Sequence, residues 1–478
     1  DQHTGLVEGE RDSATGRFLV FGETPAARIA TASDLESKSM MTPYQHIGHL
    51  KFTSDNNFRL PKGRMNLMLG YQRNQRREFG DPAAPAVPGL YFDLHTASYS
   101  VQYHSPTSKS NWATSTGVNG MFQQNFNRGT EVLIPEYRQF DIGLFLYTRK
   151  TYKKYSFNGG LRADLRRLNS DELKEAGSTR FRAINKNYSN LSGSLGVSYE
   201  VNESLTLKLN LARGFRAPNI AELSSNGAHE GTNRYEYGQE DLSSETSMQA
   251  DAGVELNTMH VSFSGALFYN NIQHYIFYRK LLSQAGGDSV VPVNGENNIA
   301  YLFDQSAAAL YGLELGLDLH PHPLDWLHLE SDFSYVRGKF YSAVEGDRDL
   351  PFMPAARWNT ELRTDFREAG KRLRNLYLRL QVQHVFAQNA VFSGYDTETA
   401  TPGYTILNMG AGIEVIQKRS TLFSLHVAIE NLTDLAYQHH LSRLKYTAVN
   451  NITGRQGVFN AGRNFSVKVN VPLNWKLK

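Results

Sequence analysis

The side chains best suited to ligand chemistry lie in and beside one long connection between predicted strands, residues 217–244. Guanidinium groups pair with carboxylate and phosphate oxygens, and aromatic rings stack on flat or cationic groups. Such a set predicts capture of an anionic, aromatic metal chelate, whereas the alternative is an ordinary polar loop. The candidates are Arg216, His229, Arg234, Tyr235 and Tyr237.

Amides and imidazoles supply a second set of candidates. Gln123 and Asn125 fall near the outer end of a predicted strand, where their amides would hydrogen-bond a ligand or pack between strands. His439 and His440 are adjacent in a long loop, and neutral imidazole binds iron, copper and zinc. They are therefore weak candidates for metal ligands, with polar rim residues as the alternative.

Enzymatic chemistry finds no support in the sequence. The serine-rich loops lack the G-x-S-x-G turn of a nucleophile elbow, and His229 and Glu230 are not followed by the second histidine of a zinc helix. Cysteine is absent, which excludes disulfides and thiolate metal sites. We therefore predict no enzyme activity and no intrinsic cofactor. The net charge of +3 argues against nucleic acid as the partner.

Apolar side chains recur at every second position, which predicts β-strands. In Leu310–His320 the odd positions carry Tyr311 and four leucines, and the even positions from Gly312 carry glycine, carboxylates and histidine. Leu205–Leu211 repeats this pattern. About 17 strands are predicted near 43–58, 62–74, 91–104, 110–125, 137–150, 153–166, 189–202, 205–216, 245–257, 259–280, 300–320, 325–341, 356–366, 373–387, 402–417, 420–432 and 462–472.

Connections between these strands alternate between short and long, as in an outer-membrane β-barrel with short periplasmic turns and long extracellular loops. A soluble β-sandwich has the same alternation along each strand, but no reason to segregate loop length. Mean hydropathy is −0.46, and no apolar run approaches the roughly 18 residues of a spanning helix. Interfacial girdles are expected from aromatics near strand ends, namely Tyr99, Tyr103, Tyr147, Tyr152, Phe268, Tyr269, Tyr275 and Phe277.

Strand parity predicts that the chain is part of a larger barrel. Bacterial single-chain barrels have even strand numbers, so both termini lie on the periplasmic side. The first predicted strand, 43–58, is followed by a short turn and therefore runs inward. An odd number of strands is thus expected before it. We predict an irregular segment with a possible strand remnant at 1–42 and the C-terminal part of a barrel at 43–478.

Several motifs resemble those of TonB-dependent outer-membrane receptors. The C-terminal signature of that family is similar to Ile429–Tyr437, His440–Tyr446 and Gly462–Phe465, and its mid-barrel motif to Arg213–Leu223. Two upstream stretches, 70–79 and 133–137, resemble the branch found in Bacteroidetes. Barrels of this family have 22 strands, so five would precede the 17 predicted here. The family's N-terminal plug domain and TonB box are not in this sequence.

The resemblance implies an outer-membrane receptor that takes up a scarce ligand with energy from TonB acting through the plug. The expected cargo is an iron–siderophore, haem or another metal complex. Outer-membrane lipid, lipopolysaccharide and possible surface lipoproteins are the expected further partners. The alternatives are a passive porin and a surface protein that binds ligand without transport.

Overall fold

The structure of the chain is a computed structural model. It describes residues 2–5, 12–20, 28–35, 42–81, 84–108, 111–175, 177–229, 234–293, 296–395, 397–417, 420–447, 449 and 454–473. Trp475, near the C-terminus, lies outside these ranges. In the described part of the chain, no helix combines the length and hydrophobicity needed to cross a membrane.

Most of the described residues lie in β-strands, as the alternating pattern predicted. Helices are limited to α1 (Ala32–Leu35), α2 (Ile220–Ser224) and a 3-10 helix (Arg443–Tyr446). The strands are β1 (Gln2–Gly5), β2 (Leu19–Val20), β3 (Arg28–Ile29), β4 (Tyr44–Leu60), β5 (Gly63–Phe79), β6 (Leu90–His104), β7 (Trp112–Asn127), β8 (Tyr137–Tyr152), β9 (Tyr155–Ser170), β10 (Leu173–Glu175), β11 (Ser178–Phe181), β12 (Ile184–Glu200), β13 (Leu205–Arg216), β14 (Asn226–His229), β15 (Arg234–Tyr237), β16 (Glu245–Asn257), β17 (Val261–Lys280), β18 (Val290–Val293), β19 (Glu296–Leu319), β20 (Leu327–Val344), β21 (Asp347–Asp349), β22 (Arg357–Glu368), β23 (Leu373–Val385), β24 (Tyr404–Gln417), β25 (Ser420–Glu430) and β26 (Asn464–Asn470).

One antiparallel sheet runs through the molecule, and its long strands pair with their neighbours in chain order. The order is β1–β4–β5–β6–β7–β8–β9–β12–β13–β16–β17–β19–β20–β22–β23–β24–β25–β26. From β4 onward these are the strands that the sequence predicted. In the region preceding them, β1 pairs with β4 through the register Gln2 with Ile47 to Gly5 with Tyr44.

The apolar rows of the strands face outward rather than into a core. Leu209 and Leu211 are 60% and 58% exposed, and Leu195, which lies opposite Leu211 on the next strand, is 72% exposed. The intervening positions are polar and lie on the other face of the sheet. There, for example, Asn210 donates from Nδ2 to Asp251 Oδ2 at 3.1 Å. A β-sandwich would bury the leucines between its sheets. This arrangement instead fits a barrel wall with a lipid-facing outer surface and a wet interior.

The connections segregate by length at the two ends of the sheet. Short turns, at one end, include 61–62, 153–154 and 201–204, whereas the other end carries the long loops. We call this second end the long-loop end. Several of its loops contain regular structure that the period-two pattern did not predict. The loop at 217–244 contains α2, β14 and β15; β18 and the first residues of β19 occupy the predicted loop 281–299; and β21 lies within 342–355.

Two hydrophobic clusters give the long-loop end a core of its own. The first surrounds α2, and its buried members are Leu168, Ile184, Ile220, Leu223, Leu242, Ile276 and Phe303. The second comprises Phe277, Ala308, Phe340, Leu350, Met353, Phe392 and Tyr395. Burial of Phe277, at 7% exposure, shows that the interfacial girdle predicted for it is wrong. The reason is that the end of β17 packs against residues of the neighbouring strands and loops in this second cluster.

Candidate functional site

Arg216 holds the beginning of loop 217–244 by binding two carboxylates. Its Nε and Nη2 donate to the two oxygens of Glu245, each at 2.8 Å, and its Nη1 donates to Glu222 at 2.7 and 2.9 Å. The carboxylates are largely buried, with side-chain exposures of 14% for Glu245 and 10% for Glu222. All three guanidinium nitrogens are therefore engaged, and Arg216 acts here as a positioning residue. A ligand contact by Arg216 stays a prediction.

The sequence around α2 explains why the chain forms this short helix. Asn219 accepts a hydrogen bond from the Glu222 backbone N–H at 3.0 Å, while Glu222 accepts one from the Asn219 N–H at 2.9 Å, which completes a capping box. On the opposite side, Ile220 and Leu223 enter the first hydrophobic cluster, and Leu223 is fully buried. The helix thus packs the beginning of loop 217–244 against the first hydrophobic cluster of the long-loop end.

The hairpin β14–β15 follows α2 and carries most of the predicted ligand residues. β15 pairs in parallel with β19, from Arg234 beside Ile299 to Tyr237 beside Leu302. The Tyr235 hydroxyl donates to Asn226 Oδ1 at 2.8 Å, and the Tyr235 and Tyr237 rings lie 4.9 Å apart. Burial raises the pKa of both tyrosines, so they remain neutral hydrogen-bonding phenols at neutral pH.

The side chain of Arg234 is only 13% exposed and lies against two tyrosine rings. Its guanidinium carbon is 5.0 Å from the ring centre of Tyr278 and 5.4 Å from that of Tyr301. Its nearest carboxylate is Glu236, at 3.9 Å. The buried Nε has no hydrogen-bond acceptor within the described ranges. A buried donor without a protein acceptor needs a partner, and a water or a ligand oxygen would supply it here. The Nε atoms of Arg77 and Arg337 are also buried without an acceptor among the described residues.

A second arginine approaches this position from the last long loop. Arg443 begins the 3-10 helix, and its guanidinium lies 5.5 Å from the ring centre of Phe352. Burial and the neighbouring charge of Arg234 lower the pKa of Arg443 from its usual high value. We name Arg234, Glu236, Tyr278, Tyr301 and Arg443 the arginine–tyrosine cluster. Its two guanidinium groups face one carboxylate, so its excess charge suits an anion, and its rings suit a flat group.

The other predicted ligand residues lie outside this cluster. Gln123 donates to Thr96 Oγ1 at 3.0 Å and accepts from the Tyr137 hydroxyl at 3.0 Å, which are contacts between strands. Asn125 is 2% exposed and donates to Asn127 Oδ1 at 3.1 Å. His229 pairs with Arg234 through its backbone, but its side chain falls outside the described part. Ligand binding by these three residues stays a prediction.

The two histidines of the last long loop have different environments. His440 is 4% exposed, and both ring nitrogens are bound: Nε2 to Glu398 Oε1 at 2.7 Å and Nδ1 to Thr401 Oγ1 at 2.8 Å. His439 Nδ1 accepts from the Leu441 N–H at 3.2 Å. Burial, with the nearby His440 and Arg357, lowers the pKa of His439. Across the residues that the structure describes, no three His, Asp or Glu side chains converge as metal ligands.

Sequence reasoning did not identify Tyr278, Tyr301 or Arg443 as site residues. Tyr278 ends a predicted strand, and Tyr301 begins one, so both read as ordinary strand aromatics. Arg443 lies within His440–Tyr446, one of the motifs that resemble the family. No pattern of charged residues in this motif distinguished Arg443 as a ligand residue. The available signal was a basic residue in a long loop together with aromatics at strand tips on the same side of the sheet.

Comparison with known proteins identifies the fold. A family model described as "TonB dependent receptor-like, beta-barrel" matches residues 14–432. The structure is similar to the copper transporter OprC, with 17% identity, TM-score 0.65, and coverage of 89% of this chain and 65% of that one. It is also similar to the ferric yersiniabactin uptake receptor FyuA of Yersinia pestis, with 14% identity, TM-score 0.61, and coverage of 90% and 62%.

A third similar structure is the Serratia marcescens hemophore receptor HasR, solved in complex with its hemophore HasA and heme. The identity is 15%, the TM-score is 0.64, and the match covers 90% of this chain and 66% of that one. The chain thus spans slightly less than two thirds of the length of these structures. The Bacteroidetes-like branch stays a prediction. The family match extends over most of the sequence, so the chain belongs to the TonB-dependent receptor β-barrel family of the outer membrane.

Proposed function

We propose that this chain is the barrel of a receptor that imports a scarce, anionic metal complex by TonB-dependent active transport. The cargo is an iron–siderophore, haem or another metal chelate, and it is carried as substrate rather than held as an intrinsic cofactor. TonB acts through a plug domain, and lipopolysaccharide, outer-membrane lipid and possible surface lipoproteins are the other partners.

The arginine–tyrosine cluster is the observation that supports this proposal. Arg234 is held against the rings of Tyr278 and Tyr301 at 5.0 and 5.4 Å, and its buried Nε lacks an acceptor among the described residues. A chelate that presents carboxylate or phenolate oxygens would supply the missing acceptor, and its planar groups would stack on the rings. The similar structures named above are a copper transporter, a ferric yersiniabactin uptake receptor and a hemophore receptor in complex with its hemophore and heme.

A passive porin and a non-transporting binding protein are the alternative functions. A porin needs an open lumen, whereas the long loops here pack into two buried hydrophobic clusters at one end of the sheet. A binding protein without transport would retain ligand at the loops independently of TonB. Dependence on TonB therefore separates the proposed function from both alternatives.

The proposal is tested with the full-length gene expressed in a strain that lacks the chromosomal copy. Growth on single sources of iron, haem, copper or zinc identifies the cargo class, and uptake of the radiolabelled metal source is then measured. We expect deletion of tonB to abolish uptake and Arg234→Gln to reduce it at least about tenfold, because one buried charged hydrogen bond contributes roughly 1.5–3 kcal/mol.

Arg372→Gln is the matched control, because Arg372 lies in the short turn 369–372 at the opposite end of the sheet. It should leave uptake at the wild-type rate. Uptake that persists without TonB, together with a steady large single-channel current, would establish the porin instead. Surface binding without internal accumulation would establish the binding protein.

A further inference from the structure

Two arginines on the outer wall of the sheet lack a counter-ion. Arg138 and Arg167 lie on the neighbouring strands β8 and β9, close to the long-loop end, where Arg138 pairs with Asn169 and Arg167 with Phe140. Both are exposed, on the same face as the exposed Phe140 and Leu165. Neither forms an ion pair with any residue in the described ranges. Their positive charges are therefore not neutralised by this part of the protein.

The inward-facing arginines of β9 are neutralised, in contrast. Arg166 Nε and Nη2 donate to Asp141 at 2.8 and 2.7 Å, and Arg162 Nε donates to the two oxygens of Asp164 at 2.9 and 2.8 Å. A charged side chain on the lipid-facing surface is most unfavourable at the centre of a bilayer and is tolerated near its interface. We therefore expect the unpaired, outward-facing arginines at the level of the lipid head groups, which carry anions.

Two further arginines extend this face toward β5. Arg73 Nε and Nη2 each donate to an oxygen of Asp93 at 2.8 Å, and Arg128 Nε donates to the same carboxylate at 3.3 Å. The Asp93 side chain is 1% exposed, whereas those of Arg73 and Arg128 are 41% and 54% exposed. One buried carboxylate thus holds two guanidinium groups at the surface and neutralises the charge of only one.

The four arginines form a band along one face of the sheet. A row of paired residues leads from Arg73 through His95 and Gln124 to Arg138, so these side chains share the outward face. Neighbouring strands are about 4.8 Å apart, which separates the backbones of Arg73 and Arg138 by about 14 Å and adds one strand for Arg167. We name the outer arginine band by its members, Arg73, Arg128, Arg138 and Arg167.

The outer arginine band carries an excess of positive charge. Asp93 neutralises one of its four guanidinium groups. Glu136, next to the beginning of β8, accepts from the Asn127 backbone N–H at 3.0 Å and neutralises at most one more. Two positive charges therefore remain, which is suited to a partner with more than one negative charge.

An apolar surface continues from the band toward the short-turn end of the sheet. Its leucines on β8 and β9 are 49–63% exposed, and aromatic rings lie between them and the band. Guanidinium groups beside a surface for acyl chains match a lipid with an anionic head group. The leucines are Leu144, Leu146, Leu161 and Leu165, and the aromatic residues are Phe122 and Phe140.

The position of the band selects among anionic lipids. The chain belongs to an outer-membrane barrel family, whose long loops face the cell exterior, so the band lies at the outer leaflet. Lipid A, which anchors lipopolysaccharide in that leaflet, carries phosphates at the two ends of a disaccharide. A phospholipid offers one phosphate, whereas the band extends from β5 to β9, across five strands.

We propose that the outer arginine band is a binding site for the phosphorylated head group of one lipid A molecule. Arg138 and Arg167 bind the phosphate at one end of the disaccharide, and Arg73 and Arg128 bind the phosphate at the other. The acyl chains lie on the leucines of β8 and β9. This assignment rests on the outer-membrane location of the barrel and is independent of TonB-dependent transport.

Native mass spectrometry of the full-length, delipidated protein with bisphosphorylated lipid A tests the site. We expect the double variant Arg138→Gln, Arg167→Gln to weaken binding at least about tenfold, because both guanidinium groups donate charge-assisted hydrogen bonds to phosphate. Arg167→Lys, which keeps the charge, should retain most of the affinity. Both arginines are exposed and unpaired among the described residues, so the double variant should fold, and its mobility in gels before and after heating verifies this.

Arg166→Gln is the matched control, because Arg166 is the neighbouring residue on the inward face of the same strand. It should bind lipid A as the wild type does. Enzymatic removal of the lipid A phosphates should weaken binding to the wild type but have little further effect on the double variant.

Four results would overturn the proposal. Unchanged lipid A affinity in the double variant, or an equal loss in Arg166→Gln, would show that the band is not the site. Phosphatidylglycerol that binds as tightly as lipid A, with the same loss in the double variant, would establish a general surface for anionic lipids. Displacement of lipid A by millimolar inorganic phosphate would establish a site for free anions instead. None of these measurements involves cargo or TonB, so they do not depend on the proposed function.

Discussion

Arg216 offers the clearest test of how loop 217–244 is held in place. Replacement by Met keeps much of the aliphatic volume but removes the guanidinium that binds Glu222 and Glu245. The two carboxylates, 10% and 14% exposed, would then face each other without a counter-ion. The change acts on the docking of α2 and the following hairpin, because the sheet itself is held by independent strand pairs.

The magnitude follows from the burial of the three groups. Removing one partner of a buried ion pair costs about 3–5 kcal/mol. Arg216 itself is 43% exposed, so water screens part of this interaction and we expect about 2 kcal/mol. That free energy corresponds to a roughly 30-fold change in the equilibrium between docked and released loop.

Hydrogen–deuterium exchange resolves this effect, because backbone amides in 220–225 exchange from the released loop. Arg216→Met should accelerate their exchange about 30-fold. Adding Glu245→Gln should restore part of the protection, since one of the two uncompensated charges is then removed. Lys174→Met is the control, because Lys174 and Glu172 form a solvent-exposed pair at 3.5 Å that contributes little. Unchanged exchange in Arg216→Met would refute the inference that this ion cluster holds the loop.

Two further predictions concern the last loop and the outer face. Burial, together with the charges of His440 and Arg357, lowers the pKa of His439 below its ordinary 6.5. The docked loop therefore binds fewer protons than the released loop. Neutral His439 stabilises the docked loop above pH 6.5, and this stabilisation is lost as the pH falls through the lowered pKa. The protection factor of the amides in 436–447, which corrects the exchange rate for its intrinsic pH dependence, should therefore fall when the pH is lowered from 7.5 to 5.5. His439→Gln should reduce that fall, and an equal fall in the variant would contradict this assignment. Leu209→Arg places a charge on the lipid-facing row and should destabilise the barrel by about 2–4 kcal/mol in urea unfolding from bilayers. Asn210→Arg, on the inner face of the same strand, is its control, and equal stability of the two variants would contradict the assigned orientation.

Local covalent geometry explains why so much of the fold was predictable. Successive side chains of a strand point to opposite faces, so the leucines of 205–211 specified both a strand and its apolar side. Loop lengths are equally local, and their alternation assigned the two ends of the sheet. The exposed Leu195, Leu209 and Leu211 confirm that this apolar side is the outer one.

The long-loop end required the tertiary structure, because its contacts join residues that no local pattern relates. An irregularity in β17 between Ile272 and Tyr275 inserts one extra residue opposite β19 and reverses the alternation beyond it. Counting alternate positions along the strand therefore could not predict which face Tyr278 occupies, or that Phe277 is buried. The capped helix α2 and the parallel pairing of β15 with β19 place Arg234 against the rings of Tyr278 and Tyr301.

The sequence by itself thus determined the strands, their two faces and the family resemblance, since each follows from the local alternation or from contiguous motifs. Only the tertiary structure decided which loop residues meet. His440 illustrates the difference, because its neighbours in sequence suggested a metal ligand, whereas Glu398 and Thr401, from another loop, bind both of its ring nitrogens. Such contacts arise from packing between distant segments, which adjacent residues do not encode.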